Sequence, residues 1–197
     1  GVLEHELLTR GHAVRMVEDC LNGRRTVWED PIKPGRRGLF GVGQRIEACS
    51  PLALVILMLG TNDFQAMHDS DVLKSARGLE TIIQAIREAP IEPGMLVPPI
   101  LVVAPPPMVE PRGTMAAKFQ GGAERARGLS EAYGQVADRH QCQFLDAAKH
   151  VTCSAVDGVH LDADQHERLG LALVALVASV LAEYERTASP GHGEVTS

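Results

Sequence analysis

At 197 residues, 45% of them hydrophobic and 22% charged, the chain is long enough to bury a core and too apolar to be disordered. Its net charge of −6 includes no basic run beyond the doublets Arg24–Arg25 and Arg36–Arg37, which excludes nucleic acid as the main partner. The four cysteines, Cys20, Cys49, Cys142 and Cys153, form no C-x-x-C pair and exclude a zinc ribbon or disulfide scaffold, and no segment reaches the roughly 18 apolar residues of a membrane span.

In chain order, GVLEHELL (1–8) has Leu3, Leu7 and Leu8 at helical spacing and is broken at Gly11. Gly1 opens into that periodicity without a cap, so the chain is expected to start inside a helix, with a strand upstream. AVRMVEDC (13–20) alternates and predicts a strand, and a Gly- and Pro-rich loop follows from Leu21 to Gly43. LALVILMLG (52–60) predicts a strand buried on both faces. SARGLETIIQAIREA (75–89) places Leu79, Ile82, Ile83 and Ile86 on one helical face. PPILVVAPPPM (98–108) predicts a second buried strand, stopped by three prolines that cannot donate to a ladder. A helix over 122–140, a short strand over 142–148 and a helix from Asp164 to about Arg186 complete the pattern. Strands alternating with helices predict an α/β fold with a mainly parallel sheet, in one domain over 1–187 with a flexible tail over 188–197.

Ligands of open parallel sheets sit beyond the carboxyl ends of the strands, and three polar clusters fall there. LNGRRT (21–26) follows the first predicted strand, GTND (60–63) the second, and DGVHL (157–161) enters the last helix. In DGVH, Asp157 can orient one imidazole nitrogen of His160 while the other faces a reacting group; acids complementing a helix dipole are the alternative. In GTND, Asn62 can aim its amide at a developing oxyanion, or simply serve a turn. Gly23 can offer a backbone N–H to the same oxyanion, or be a plain loop glycine. Asp63 reads as an acceptor for loop N–H groups. Trp28 and Phe40 suit either a cover over the site or ordinary packing.

Taken together, EDCLNGRRT, ILMLGTND, ILVVAPPPM, FQGG and VDGVHL resemble the SGNH (GDSL-type) hydrolases, and within them the bacterial arylesterase and acyltransferase branch. The resemblance runs in order from Gly1 to about Leu181. It implies a flavodoxin-like three-layer α/β/α sandwich, with His160 as general base, Asp157 as its orienter, and Asn62 and Gly23 as oxyanion-hole donors. Thr61, Met115, Phe119 and Val159 match positions that line the acyl pocket in that branch. Asn22 stands where relatives often have serine, which leaves the backbone donor at Gly23 in place.

The family's first block, a G-D-S sequence carrying the nucleophilic serine, is not in the 197 residues, and the resemblance places it upstream of Gly1, after a first central strand. The implied function is a serine ester hydrolase of aryl or short-chain esters, working through an acyl-enzyme and able to pass the acyl group to water or an alcohol. No cofactor or metal is implied. The expected partners are a small-molecule ester and its acceptor, with no nucleic acid or membrane, and relatives often form homo-oligomers. A cytoplasmic location is the default expectation, any signal lying upstream. The rivals are an inactive binding module on the same fold and an FMN-type binder, in which DGVHL would have no role.

Overall fold

A computed structural model describes residues 1–188. Three parallel strands, β1 (Val55–Leu57), β2 (Ile100–Ala104) and β3 (Gln143–Asp146), pair in the order β1-β2-β3. Helices α1 (Val2–Thr9), α2 (Val42–Cys49), α3 (Val72–Arg87), α4 (Thr114–Lys118), α5 (Gly122–Arg125), α6 (Leu129–Arg139) and α7 (Ala163–Ala188) connect and flank them. The tail expected from residue 188 lies, beyond Ala188 itself, outside the described residues. Among the described residues no helix is long and apolar enough to cross a membrane.

β2 organises both cores. Its five residues are all buried, and the strand period of two sends Ile100, Val102 and Ala104 to one face and Leu101 and Val103 to the other. The first face packs against Ile46 of α2, Leu79, Ile82 and Ile83 of α3, and Tyr133 and Val136 of α6. The second packs against Leu3 and Leu7 of α1 and Leu173, Val174 and Val177 of α7. A sheet covered by helices on both faces is the expected three-layer α/β/α sandwich, and it explains why β2 reads as unbroken apolar sequence.

Several boundaries differ from expectation. Residues 13–20 form no strand, although His12, Val14 and Met16 are half-buried and alternate with exposed neighbours. A strand exists only as part of a ladder; here the Met16 N–H instead donates to Glu4 Oε1 at 2.8 Å, and the Val14 N–H turns back to the carbonyl of His12. The strand expected over 52–60 shrinks to Val55–Leu57 and is half-buried, because among the described residues β1 has a ladder partner on one edge only. The single helix expected over 122–140 is two, divided at Gly128, whose φ of 88° cannot continue a right-handed helix. α3 starts at Val72, three residues early, because the Asp71 side chain caps the Lys74 N–H at 2.8 Å. Helix α2, apart from Val42 and Gly43 at the end of the expected loop, and helix α4 lie where no element was expected.

Gly78 sits in the buried stripe of α3, where alanine would ordinarily favour the helix. A Cβ there would lie 2.3 Å from Thr26 Oγ1 and 2.8 Å from Thr26 Cβ, so the glycine lets the 21–26 loop lie directly on α3. Gly78→Ala is therefore expected to destabilise the protein by about 1–3 kcal/mol, the usual range for overpacking, measured by urea denaturation.

Candidate active site

The turn after β1 is built around Asp63. Gly60, at φ 117°, enters a 3₁₀ turn over Thr61–Phe64 that points the Asp63 side chain into the interior, where it is fully buried. Asp63 Oδ1 accepts the Thr26 N–H at 3.0 Å, and Oδ2 accepts the Thr26 and Ser75 hydroxyls at 2.8 and 2.7 Å. Having given its only proton to Asp63, Ser75 must accept from the Tyr133 hydroxyl at 2.9 Å. Burial, with Asp63 nearby, pushes the Tyr133 phenol far above its ordinary value and keeps it a donor. The buried Arg25 guanidinium, its Nε 3.7 Å from Asp63 Oδ1, supplies the countercharge. Asp63 thus fastens the 21–26 loop, the 60–64 turn, α3 and α6 at one point.

That fastening places two candidate donors on adjoining backbone. Asn62 Nδ2 donates to the carbonyl of Arg24 at 3.2 Å, while Asn62 Oδ1 accepts from the buried Gln65 Nε2 at 3.0 Å. One hydrogen of the Asn62 amide is thus used and the second is spare. Gly23, one residue before Arg24, has φ 79°, and its N–H has no hydrogen-bond partner among the described residues.

The DGVH segment is a closed loop. Asp157 Oδ1 accepts the N–H groups of Val159 and His160 at 2.9 and 3.0 Å, and Oδ2 lies 2.6 Å from His160 Nδ1. These bonds, the imidazole's first among them, pull the Asp157 carboxyl down to about 2. Because Asp157 is then a carboxylate at any working pH, Nδ1 carries the proton and Nε2 of the neutral ring is left with its lone pair. The His160 side chain is 58% exposed and Nε2 makes no hydrogen bond to the described residues.

Gly158 makes this loop possible. At φ 80° a Cβ would fall 2.4 Å from the Glu110 carbonyl oxygen, and the Gly158 carbonyl accepts the Val109 N–H at 3.0 Å. A further bond from the Arg112 N–H to the Asp157 carbonyl, at 2.9 Å, stitches the loop after β2 to DGVH. The Cys153 thiol, pushed up to about 11 by burial, stays protonated and points at the Val159 carbonyl. Arg125 Nη2 donates to the Phe64 carbonyl at 2.7 Å and the Ala66 N–H to that of Lys118 at 2.7 Å, joining the turn after β1 to α4 and α5.

A cavity of about 700 Å³ opens between these joined loops, lined by Thr61, Phe64, Pro105–Pro107, Met108 and residues of α4–α6. Of the four expected pocket residues, Thr61 lines it. Phe119 and Val159 are buried in the core on the α3–α6 side, and Met115 packs part-buried against that core. Trp28 and Phe40 are exposed. Sequence reasoning missed Gln65, Thr26, Ser75 and Tyr133. The one signal was for Thr26: Gly78, a glycine inside an apolar helical stripe, marks a close backbone approach.

The GDSL-like lipase/acylhydrolase family model matches residues 3–168. The native aryl esterase of M. smegmatis superimposes with a TM-score of 0.85 at 30% identity, covering 91% of this chain and 84% of that one. A carbohydrate acetylesterase family member from Sinorhizobium meliloti gives 0.85 at 29%, covering 92% and 85%. A lipase/acylhydrolase from Enterococcus faecalis, at 17% identity and a TM-score of 0.63, shares the fold. No protein of curated function matches the chain.

Asp63→Ala would leave the Thr26 N–H, two hydroxyls and the Arg25 charge buried without their acceptor. A loss of about 3–5 kcal/mol is expected, as for breaking a buried charged network, visible as a lower denaturation midpoint. Asp63→Asn, which keeps an acceptor oxygen, should lose less.

Proposed function

The chain belongs to the GDSL-like lipase/acylhydrolase family, and we propose that it is a carboxylic ester hydrolase acting on aryl or short-chain esters through an acyl-enzyme. The observation that carries this reading is the 2.6 Å contact between Asp157 and His160 Nδ1, which directs Nδ1–H to the carboxylate and turns Nε2 away from it on a side chain that is 58% exposed. In that tautomer His160 can take a proton from an attacking hydroxyl, and the Asp157 carboxylate stabilises the imidazolium that results. The hydroxyl is assigned to the serine of the family's first block, upstream of Gly1. Residues 1–187 act with it as one catalytic domain.

The steps then follow from the groups present. The serine oxygen attacks the ester carbonyl as His160 Nε2 takes its proton. Negative charge gathers on the carbonyl oxygen, where the spare Asn62 N–H and the Gly23 N–H meet it. His160 returns the proton to the leaving alkoxide, the alcohol departs, and the acyl-serine remains. A water molecule, or a second alcohol, repeats the sequence in reverse and releases an acid or a new ester. The 700 Å³ cavity, which Thr61 beside Asn62 helps to line, combines proline walls with Glu110, Glu124 and Arg127 and is assigned to the acyl or alcohol group of the ester.

The test is turnover of p-nitrophenyl butyrate by the full protein, together with intact mass after a serine-directed fluorophosphonate. One adduct, mapped to a serine upstream of Gly1, is expected; the absence of both turnover and adduct would sink the reading in favour of a binding module. Asn62→Ala should lower kcat by about 10²–10³ with KM little changed, as loss of one oxyanion donor does. Asp157→Asn, which no longer enforces the Nδ1–H tautomer, should lower kcat by about 10⁴.

A further inference from the structure

A second cavity, of about 300 Å³, lies beside Asp63 and contains none of the residues assigned to ester chemistry. Three of its lining side chains, Arg25, His68 and Ser70, are 4%, 8% and 4% exposed, and each carries a buried atom without a hydrogen-bond partner among the described residues: Arg25 Nε, His68 Nε2 and Ser70 Oγ. Buried polar groups are ordinarily paired, so three unpaired ones on one cavity point to something that binds there.

All three atoms can donate. Arg25 Nη1 is spent on the carbonyl of Glu29, and Nε faces Asp63 only at 3.7 Å. Burial, reinforced by the Arg25 charge, holds the His68 imidazole below its usual range against the opposite pull of Asp30 and Asp63; it is neutral and can present an N–H at Nε2. The acids nearby each have one oxygen engaged elsewhere. Glu29 Oε1 accepts the N–H groups of Asp30 and Gly35, and Asp30 Oδ1 those of Ile32 and Lys33. Asp69 pairs with Lys74 at 3.0 Å. None of these acids hydrogen-bonds to Arg25 Nε, His68 Nε2 or Ser70 Oγ, so three buried donors on one cavity are without an acceptor among the described residues.

The acceptor must also be singly charged and part apolar. Asp63 offsets much of the Arg25 charge and Asp69 that of Lys74, the other cation on the lining, so a dianion such as phosphate would meet Glu29, with Asp30 and Asp63 behind it, without enough positive charge to answer it. Trp28 and Met67, 42% and 46% exposed, add apolar surface to the same lining. We propose that this cavity binds a small organic carboxylate, its head on Arg25, His68 and Ser70 and its body against Trp28 and Met67. The site stands independently of the hydrolase reading, though the acid released by ester hydrolysis is of this class.

Calorimetric titration of the full protein with benzoate, butyrate and inorganic phosphate tests this. One-to-one saturation by benzoate or butyrate with a millimolar or lower Kd is expected, with phosphate weaker. Ser70→Ala and His68→Phe should each weaken benzoate about tenfold, the loss of one hydrogen bond to a charged group. Ser70→Ala should leave Tm unchanged or raised, because it removes an unpaired hydroxyl. Water filling the cavity predicts the reverse: no saturation, and a lower Tm in Ser70→Ala. That result would overturn the proposal, as would phosphate binding more tightly than benzoate, or benzoate binding unchanged in both variants.

Discussion

The candidate site depends on one buried carboxylate. Asp63 is fully enclosed and gathers donors from Thr26, Ser75 and, through Ser75, Tyr133, which lie as many as 107 positions apart in the chain. A charge in an apolar interior is tolerated only when hydrogen bonds and a counterion replace its water, and the Thr26 backbone and the Arg25 guanidinium do so here. Because those groups sit on a loop with little regular structure, the carboxylate gives that loop its position. Gly60 and Gly78 are the steric counterpart: a Cβ at either would collide with Tyr133 or Thr26, the same two side chains the network uses.

The sheet supplies the other constraint. β2 is buried on both faces and fixes the carboxyl edge, from which the loops after β1, β2 and β3 all emerge. These loops are then bonded to one another, Val109 and Arg112 to DGVH and Phe64 to Arg125. Asn62 and His160 are 98 positions apart in the chain, yet both belong to this one bonded set. Rigidity of the loops therefore comes from loop-to-loop hydrogen bonds, which suits a site that must hold polar groups at fixed positions.

How much of this was legible follows from the kind of signal each residue leaves. The apolar runs at 52–60 and 98–108 and the stripe at Leu79–Ile86 revealed a mainly parallel α/β sheet, because periodicity reflects burial directly, while the three-layer sandwich was what the family resemblance implied. The short motifs DGVH and GTND were legible because two or more polar residues fell together at a strand end. Residues 13–20 misled, since alternation reports which side chains are half-buried and not whether a ladder partner exists. Gln65, Ser75 and Tyr133 were silent for another reason. Each acts through a partner distant in sequence, and nothing local distinguishes a buried serine that bridges Asp63 from an ordinary helical one. The cavity at Arg25 was invisible on the same ground: Arg25 stood out only as half of a basic doublet, and its burial is a property of the packed loop.

The orientation of Asn62 shows how these layers combine. An asparagine amide can present either its oxygen or its nitrogen to a given direction, and only the nitrogen can serve an oxyanion. The Arg24 carbonyl can only accept, so it must face Nδ2; a flipped amide would set two oxygens against each other. Asn62 Oδ1 is thereby turned to Gln65, whose own amide must present Nε2 in return. The choice runs outward from a backbone group that has no alternative, and that backbone group is two residues from Thr26, which Asp63 holds. A buried carboxylate behind the site thus decides which atom of Asn62 the site presents.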